Sequence, residues 1–272
     1  MIATGQPAVI TCPIIGGFAS NNPNHPRTLG DIVRHGIDAA HAGAAALHIH
    51  ARTADGEVTQ DAAVYEEIGA AIRAEAPDVI LNYTTGGSIG MSEDERLGSV
   101  AAGPDLASLD CGTMNFGDGI FVNTPAFIER CAAEMRAAGV KPEIECFEAG
   151  MVASGARLVA EGKVDAPALF QLVLGVRGGA PARVDTLCSL VALLPPGAIW
   201  AAAAIGPPHF PLMAAALGMG GHIRSGMEDV AYTARGEFAS SNAQLVARAV
   251  GLCAAVGRPV ATPAQAREIF AL

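Results

Sequence analysis

Two histidines separated by a single residue, His48 and His50, end a short apolar run of the sequence. Side chains two residues apart in a β-strand point to the same face, so both imidazoles would be aimed at one point. Imidazole is a common zinc ligand, and a pair aimed together suggests a metal site. The adjacent acids Glu228 and Asp229 are the best candidates for a third ligand, because two histidines and a glutamate with an open position form a catalytic zinc site.

Each of these residues also has an ordinary structural interpretation. A lone buried histidine is most often a hydrogen-bonded core residue, and this is the interpretation that we keep for His25, His35 and His41. Acids such as Glu228 and Asp229 commonly stand at the start of a helix, where they stabilise the first turn. Two histidines at one strand end favour the metal interpretation over the structural one.

Two further polar features point to a binding site. Arg224 stands in an otherwise apolar segment, and an unpaired guanidinium is costly to bury. We therefore expect a partner such as Asp229, Glu145 or a substrate carboxylate. The glycine pair Gly86-Gly87 is compatible with a simple turn, or with backbone amides that approach an anion closely.

The elements that would position these residues alternate between short apolar β-rich runs and alanine-rich helical patterns, which is typical of βα units around a parallel sheet. We predict strands at 8–14, 45–50, 79–84, 106–111, 143–147, 170–174, 199–204 and 222–224. We predict helices near 30–43, 61–75, 92–101, 125–138, 151–161, 183–194, 210–217 and 241–256. The pattern predicts one (β/α)8 TIM barrel over residues 1–272, a single catalytic domain of the α/β class, with a doubly wound open sheet as the alternative.

In such barrels the catalytic groups lie where strands end and βα loops begin. The unusual polar residues fall at these places, with His48 and His50 after the second strand, Thr84 to Ser88 after the third, Ser108 to Asn115 around the end of the fourth, Glu145 on the fifth, and 224–229 after the eighth. An open sheet would bring polar groups together only near a topological switch point. The placement therefore supports closure of the sheet.

Composition limits the classes of partner. The chain has 272 residues, of which 51% are hydrophobic and 16% charged, and its formal net charge is -10, which argues against nucleic acid or an anionic membrane as a partner. The six cysteines are scattered without a CxxC motif and suit a reducing compartment. We find no secretory signal and no membrane span, and we expect a cytoplasmic protein.

Several ordered motifs carry a family resemblance. They are HIHAR at 48–52, DG at 55–56, TQD at 59–61, TGG at 85–87, GMS at 90–92, SLDCGT at 108–113, NFG at 115–117, KPEIE at 141–145, GGHIRSGMED at 220–229 and ATP at 261–263. In these motifs the chain resembles the β-keto acid cleavage enzymes, nearly from end to end. The resemblance implies a zinc-bearing (β/α)8 barrel that assembles as a homotetramer, in agreement with the fold predicted above.

The resemblance also implies roles for individual residues. It implies that zinc is held by His48, His50 and Glu228, with Arg224, Asp229 and Glu145 as catalytic residues beside it, and that the substrate is held at Thr84, Gly86, Gly87 and Ser108. The implied reaction joins a β-keto acid to acetyl-CoA, its co-substrate, and yields acetoacetate and a new acyl-CoA. Zinc would stabilise enolate charge, and Asp229 is the expected base.

One position departs from the family pattern. In the family member of lysine fermentation, an acidic residue after the first strand meets the substrate's ammonium, whereas this chain has Phe18 at that place. A phenyl ring cannot supply a full counter-charge, and its attraction for a cation is worth only about 0.5–2 kcal/mol. We therefore expect Phe18 to line the substrate site and the β-keto acid to be uncharged or apolar.

Two other classes of protein remain as alternatives. A metal-dependent hydrolase on a TIM barrel also uses two histidines at a strand end, but such enzymes commonly need further histidines on central strands, and the fifth and sixth predicted strands have none. A scaffold protein with a structural zinc is the other alternative, but structural sites are closed and usually rich in cysteine. Dependence on acetyl-CoA would separate all three classes.

Overall fold

The computed structural model describes residues 5–17 and 20–272. The strands are β1 (Ile10–Pro13), β2 (Ala46–Ile49), β3 (Ile80–Tyr83), β4 (Leu106–Asp110), β5 (Met114–Phe116), β6 (Gly119–Phe121), β7 (Lys141–Cys146), β8 (Leu169–Leu174), β9 (Ile199–Ala204), β10 (His222–Arg224), β11 (Tyr232–Ala234) and β12 (Glu237–Phe238). The helices are α1 (Leu29–His41), α2 (Ala62–Glu75), α3 (Glu93–Arg96), α4 (Gly98–Ala101), α5 (Pro125–Ala137), α6 (Ala149–Ala160), α7 (Val184–Ala192), α8 (His209–Gly218), α9 (Asn242–Ala255) and α10 (Pro263–Phe270).

Eight of these strands close into a parallel barrel in the order β1-β10-β9-β8-β7-β4-β3-β2. The pairing of β1 with both β2 and β10 joins the first and last barrel strands and completes the closure. The predicted (β/α)8 barrel is confirmed, and the open-sheet alternative is wrong. Within the described ranges, 5–17 and 20–272, no helix is both long and apolar enough to cross a membrane.

The barrel strands are buried on both faces, because one face packs in the barrel interior and the other lies under the helices. Every residue of β2 and of β8 is buried, as are all four residues of β1. At the end of the barrel opposite the candidate site, Phe270 of α10 packs in a separate apolar cluster with Val9, Ile80 and Leu169. This helix was not among the predicted elements.

Several helices begin at a residue whose side chain caps the first turn. Thr28 forms a capping box with Asp31 at the start of α1, and Ser241 accepts a hydrogen bond from the Gln244 amide at the start of α9. The predicted helix at 92–101 is instead two short helices, α3 and α4, that meet at Leu97. Two small antiparallel hairpins, β5-β6 and β11-β12, extend from the loops after β4 and β10 and were also not predicted.

Candidate active site and metal centre

The two histidines at the end of β2 face the carboxylate of Glu228 inside the barrel. The Nε2 atom of His48 lies 3.9 Å from one Glu228 oxygen, and the Nε2 atom of His50 lies 3.6 Å from the other. One ligand atom from each of these residues lies within 4.8 Å of the others, which is close enough to surround a single metal ion. Barrel closure therefore brings Glu228 to two histidines that precede it by 180 and 178 positions in the chain.

Charge and burial leave His48 and Glu228 in the forms that bind a metal. Burial and then Arg224 hold the pKa of His48 well below its usual value, so the ring is neutral. Burial raises the pKa of Glu228, but the Arg224 charge is the largest of the opposing effects that leave the pKa below its usual value. Among the described residues, no hydrogen-bond partner reaches the buried Oε2 atom of Glu228. Two imidazoles and one carboxylate oxygen fit the donor set of zinc.

Arg224 ends β10 and links three carboxylates at the centre of the site. Its Nε and Nη2 atoms donate to the two oxygens of Asp229 at 3.1 and 2.9 Å, and its Nη1 donates to Glu145 at 3.1 Å. Nη2 also donates to Glu228 at 2.5 Å. The guanidinium is only 3% exposed, so its charge is balanced by these acids rather than by water. Asp229 and Glu145 are two of the partners that the sequence predicts for this arginine.

Asp229 and Glu145 hold protons more tightly than ordinary carboxylic acids. Burial raises the pKa of Asp229 to about 7, because it outweighs the opposing effect of the Arg224 charge. Burial also raises the pKa of Glu145 well above its usual value, again against Arg224. A carboxylate with a pKa near neutrality, held at the barrel end, can exchange a proton with a bound molecule at physiological pH.

The loop after β3 and the end of β4 carry small polar groups that contact one another. Thr84 and Ser108 are both buried, and the Ser108 hydroxyl accepts a hydrogen bond from the Thr85 amide at 3.1 Å. The amide of Gly86 donates to the Thr84 hydroxyl at 2.9 Å. Gly87 has a φ of +60°, which favours glycine and turns the loop. Four of the predicted substrate-site residues therefore belong to adjoining segments.

A buried cation, Arg96, fixes that loop and was missed by the sequence analysis. Its Nε donates to the Thr85 carbonyl at 2.7 Å, and its guanidinium lies 4.7 Å and 4.5 Å from the rings of Phe121 and Phe127. Its Nη2 lies 3.9 Å from the carboxylate of Asp110. Arg96 comes directly after three acidic residues, and this charged stretch gave no sign of burial.

A second missed pair, Asn82 and Glu143, lies in the barrel interior next to His48. Both are buried, on β3 and β7, and the Asn82 amide donates to Glu143 at 2.6 Å. The signal in the sequence was a polar residue inside the apolar strand β3 and a second acid, two residues before Glu145, in β7. Phe18, the remaining predicted substrate-site residue, lies outside the described residues.

The segment 207–211, whose role the sequence did not indicate, supports the loop after β10. Within it, His209 is fully buried, and its Nδ1 lies 2.8 Å from the Ala204 carbonyl. Its Nε2 lies 3.0 Å from the hydroxyl of Ser225, the residue after Arg224. The segment therefore connects the end of β9 to the loop that carries the candidate acids.

Known proteins match this chain over nearly its whole length. Residues 7–272 match the family model described as beta-keto acid cleavage enzyme. The chain is 42% identical over 267 residues to the 3-keto-5-aminohexanoate cleavage enzyme of Acetoanaerobium sticklandii, with 97% of this chain and 98% of that protein covered. It is 35% identical over 272 residues to the 3-oxoadipate:acetyl-CoA acetyltransferase of Cupriavidus necator, with 98% of this chain and 95% of that protein covered.

A solved structure shares the fold at lower sequence identity. The apo structure of ObcA superposes with a TM-score of 0.80 at 22% identity, and the match covers 92% of this chain and 66% of that chain. At this identity the likeness concerns the barrel fold alone.

Proposed function

The chain belongs to the family of β-keto acid cleavage enzymes, and on this basis we propose that it condenses a β-keto acid with acetyl-CoA and releases acetoacetate and a new acyl-CoA. The observation that carries the proposal is the position of Arg224, which binds Asp229 on one side and Glu228, beside His48 and His50, on the other. The proposed base, Asp229, and one proposed metal ligand, Glu228, thus bind the same guanidinium. The names of the C. necator and A. sticklandii relatives support acetyl-CoA transfer and keto acid cleavage.

The metal-binding residues in this proposal are His48, His50 and Glu228. A zinc ion held there would act as a Lewis acid toward the oxygens of a bound β-keto acid. The three residues fit it because their donor atoms converge, imidazole and carboxylate are ligand types that zinc accepts, and one Glu228 oxygen is buried without a partner among the described residues.

Asp229 is the proposed general base, and it removes a proton from C2 of the keto acid. Its pKa of about 7 suits both the removal of that proton and its later return. The two hydrogen bonds from Arg224 fix both carboxylate oxygens, so the base cannot rotate away from the substrate. Glu145 binds the third nitrogen of the same guanidinium and holds it in position.

Thr84, Gly86, Gly87 and Ser108 are the proposed binding residues for the substrate's carboxylate and keto groups. Hydroxyls and backbone amides on a tight loop can donate to both kinds of oxygen. Arg96 fixes this loop by a hydrogen bond from its Nε to the Thr85 carbonyl. The loop is therefore set before substrate arrives, which lowers the ordering cost of binding.

The proposed reaction balances without any other reactant. After Asp229 takes the C2 proton, C2 attacks the acetyl carbonyl carbon, and the CoA thiolate leaves. The thiolate then attacks the original keto carbon, and the bond between C2 and that carbon breaks. C2 regains a proton from Asp229, which yields acetoacetate and an acyl-CoA that carries the substrate's side chain.

The proposed substrate has an uncharged or apolar side chain. The support is the family resemblance, which assigns Phe18 to the place where a member that takes an ammonium-bearing substrate has an acid. A clear preference for an ammonium-bearing β-keto acid over a neutral isostere would overturn this part of the proposal. The metal-dependent hydrolase is not favoured, because the relatives are named for cleavage and for transfer to acetyl-CoA.

The whole of residues 1–272 is proposed to act as one catalytic domain in a cytoplasmic homotetramer. The scattered cysteines, which are free within the described ranges, support a reducing compartment, and the tetramer rests on the family resemblance. Light scattering of the purified protein tests the subunit number.

The activity is tested by incubating zinc-loaded protein with neutral and cationic β-keto acids, with and without acetyl-CoA, and measuring acetoacetate by mass spectrometry. Acetoacetate that depends on acetyl-CoA supports the proposal and identifies the accepted side chain. Loss of the keto acid without acetyl-CoA, faster than its spontaneous decarboxylation in a protein-free control, would favour a hydrolase instead.

A further inference from the structure

A fully buried amide and carboxylate, Asn82 and Glu143, form a hydrogen-bonded pair inside the barrel that the proposed reaction does not use. Asn82 is 0% exposed and Glu143 is 1% exposed, and the Asn82 Nδ2 lies 2.6 Å from a Glu143 oxygen. Burying two polar side chains in a barrel interior is costly unless they form hydrogen bonds with each other or with a third group. His48 is such a group, because one of its nitrogens lies within 4.8 Å of a Glu143 oxygen.

Asn82 stands directly opposite His48 on the neighbouring strand. The two residues are register partners in the parallel pairing of β2 with β3, so their side chains share the interior face. A Glu143 oxygen, a His48 nitrogen and a Glu145 oxygen also lie within 4.8 Å of one another. The ring of His48 is thus bordered by Glu228 on one side and by the Asn82–Glu143 pair on the other.

The unpaired atoms on these side chains are complementary. The Nε2 atom of His48 is the one that approaches Glu228, so Nδ1 is its outer nitrogen. Among the described residues, the buried His48 Nδ1 and the buried Asn82 Oδ1 each have no hydrogen-bond partner. One atom can carry a proton and the other can only accept one. An Nδ1–H that points to Oδ1 would satisfy both.

The bond to Glu143 determines which end of the Asn82 amide faces the histidine. A carboxylate accepts hydrogen bonds, so it binds the NH₂ end of the amide and leaves the oxygen end for His48. When the Asn82 oxygen faces His48, the neutral ring carries its proton on Nδ1. The lone pair of the ring is then on Nε2. We propose that Asn82, oriented by Glu143, positions His48 in the tautomer whose Nε2 atom binds the metal ion.

This inference rests on the proposed function, because it assumes that His48 is a metal ligand. Outer partners of metal-bound histidines fix the ring and its tautomer, and their loss typically weakens metal binding about 10–100-fold. Asn82 and Glu143 are positioning residues in this scheme, and neither touches the substrate.

The test compares zinc affinity, measured by competition with a chromogenic chelator, with the Tm of the metal-free protein. The variants are Asn82→Ala, Glu143→Gln, which keeps the shape of the side chain, and the double variant. Gln171→Ala is the matched control, because Gln171 is also a fully buried amide on a barrel strand but stands opposite Glu145. Wild-type protein and Glu228→Ala are measured alongside.

We expect zinc to bind about 10–100-fold more weakly to Asn82→Ala, and about 10-fold more weakly to Glu143→Gln, whose amide can reverse the orientation of Asn82. The double variant should bind zinc no more weakly than Asn82→Ala alone, because Glu143 acts through Asn82. Gln171→Ala should keep the wild-type affinity. Rescue of zinc affinity by Asn82→Asp, which keeps an acceptor oxygen toward the ring, would add support.

Three results would overturn the inference. The first is wild-type affinity in both single variants with a lowered metal-free Tm, which would make the pair purely structural. The second is a second zinc ion per chain that Glu143→Gln removes, which would make Glu143 a ligand itself. The third is a wild-type protein whose zinc binding does not depend on Glu228, which would also remove the proposed metal site.

Discussion

Arg224 binds Asp229 through two parallel hydrogen bonds, from Nε to Oδ2 at 3.1 Å and from Nη2 to Oδ1 at 2.9 Å. The same Nη2 also donates to Glu228, the residue next to Asp229 in the chain. Two consecutive acids thus contact one guanidinium, although only Glu228 faces the histidines. This arrangement keeps the proposed base close to the proposed metal ligand without making it a ligand.

Replacing Asp229 by asparagine should leave zinc bound and reduce kcat about 10²–10⁴-fold, because the amide keeps the shape but cannot accept the C2 proton. The measurement is kcat together with zinc content per chain. Asp118→Asn is the matched control, because that acid is fully exposed and its loss should change neither value. Unchanged kcat in Asp229→Asn would remove Asp229 from the mechanism.

The activity should fall on the acid side of neutrality. Asp229 must be deprotonated to act as a base, and burial raises its pKa to about 7 in the metal-free site. A nearby bound cation would lower that pKa, so kcat/KM of the zinc-loaded protein should decline as pH falls below about 7. A profile that stays flat down to pH 4 would show that no carboxyl with a raised pKa acts as the base.

Replacing Gly16 by alanine should disturb the metal site selectively. A β-carbon at Gly16 would lie 2.6 Å from the Cγ of Glu228, so the side chain of that ligand would have to move. We expect zinc affinity to fall at least about 10-fold, in the range of other disturbed metal sites. Gly251→Ala is the control, because nothing lies within 4 Å of a β-carbon there. Equal zinc affinity in both variants would mean that Glu228 is not a ligand.

The buried ring of His222 should make the fold sensitive to acid. Its Nδ1 accepts a hydrogen bond from the Val9 amide at 3.1 Å, and burial, then Arg258, lower its pKa from 6.5 to about 4. As pH falls from 6.5 toward 4, His222 is protonated in the unfolded chain but stays neutral in the folded chain. This stabilisation is therefore complete above pH 6.5 and is lost as pH falls through about 4, and it amounts to about 3 kcal/mol.

Urea unfolding of wild type and His222→Gln between pH 4 and 7 measures this contribution. The variant should lose less free energy of unfolding on acidification than wild type does. His41→Gln is the control, because His41 is exposed, and its curve should follow the wild type. Parallel pH dependence in wild type and His222→Gln would contradict the account of this ring.

The sequence was sufficient for the barrel and for the central residues of the site. Apolar strand periodicity gave the eight barrel strands to within a few residues, and the predicted partners of Arg224 follow from the cost of burying its charge. The position of His48, His50 and Glu228 at strand ends predicts that they lie close together, because a closed barrel places all strand ends around one opening.

Features that depend on the offset between strands could not be predicted. The Asn82–Glu143 bond joins β3 to β7 across the barrel interior, and the sequence contains no information on the stagger that aligns them. The buried position of Arg96 depends on Phe121, in a hairpin whose strands are only three residues long and partly exposed. Such short strands give no clear alternation of apolar and polar residues.

The most direct test of the central claim follows the carbon atoms of acetyl-CoA. Zinc-loaded protein is given a neutral β-keto acid and acetyl-CoA labelled with ¹³C in both acetyl carbons, and the products are analysed by mass spectrometry. The proposed reaction predicts that both labelled carbons appear in acetoacetate and none in the new acyl-CoA. Label recovered only as acetate or unreacted acetyl-CoA, while the keto acid is consumed faster than in a protein-free control, would contradict the proposed reaction.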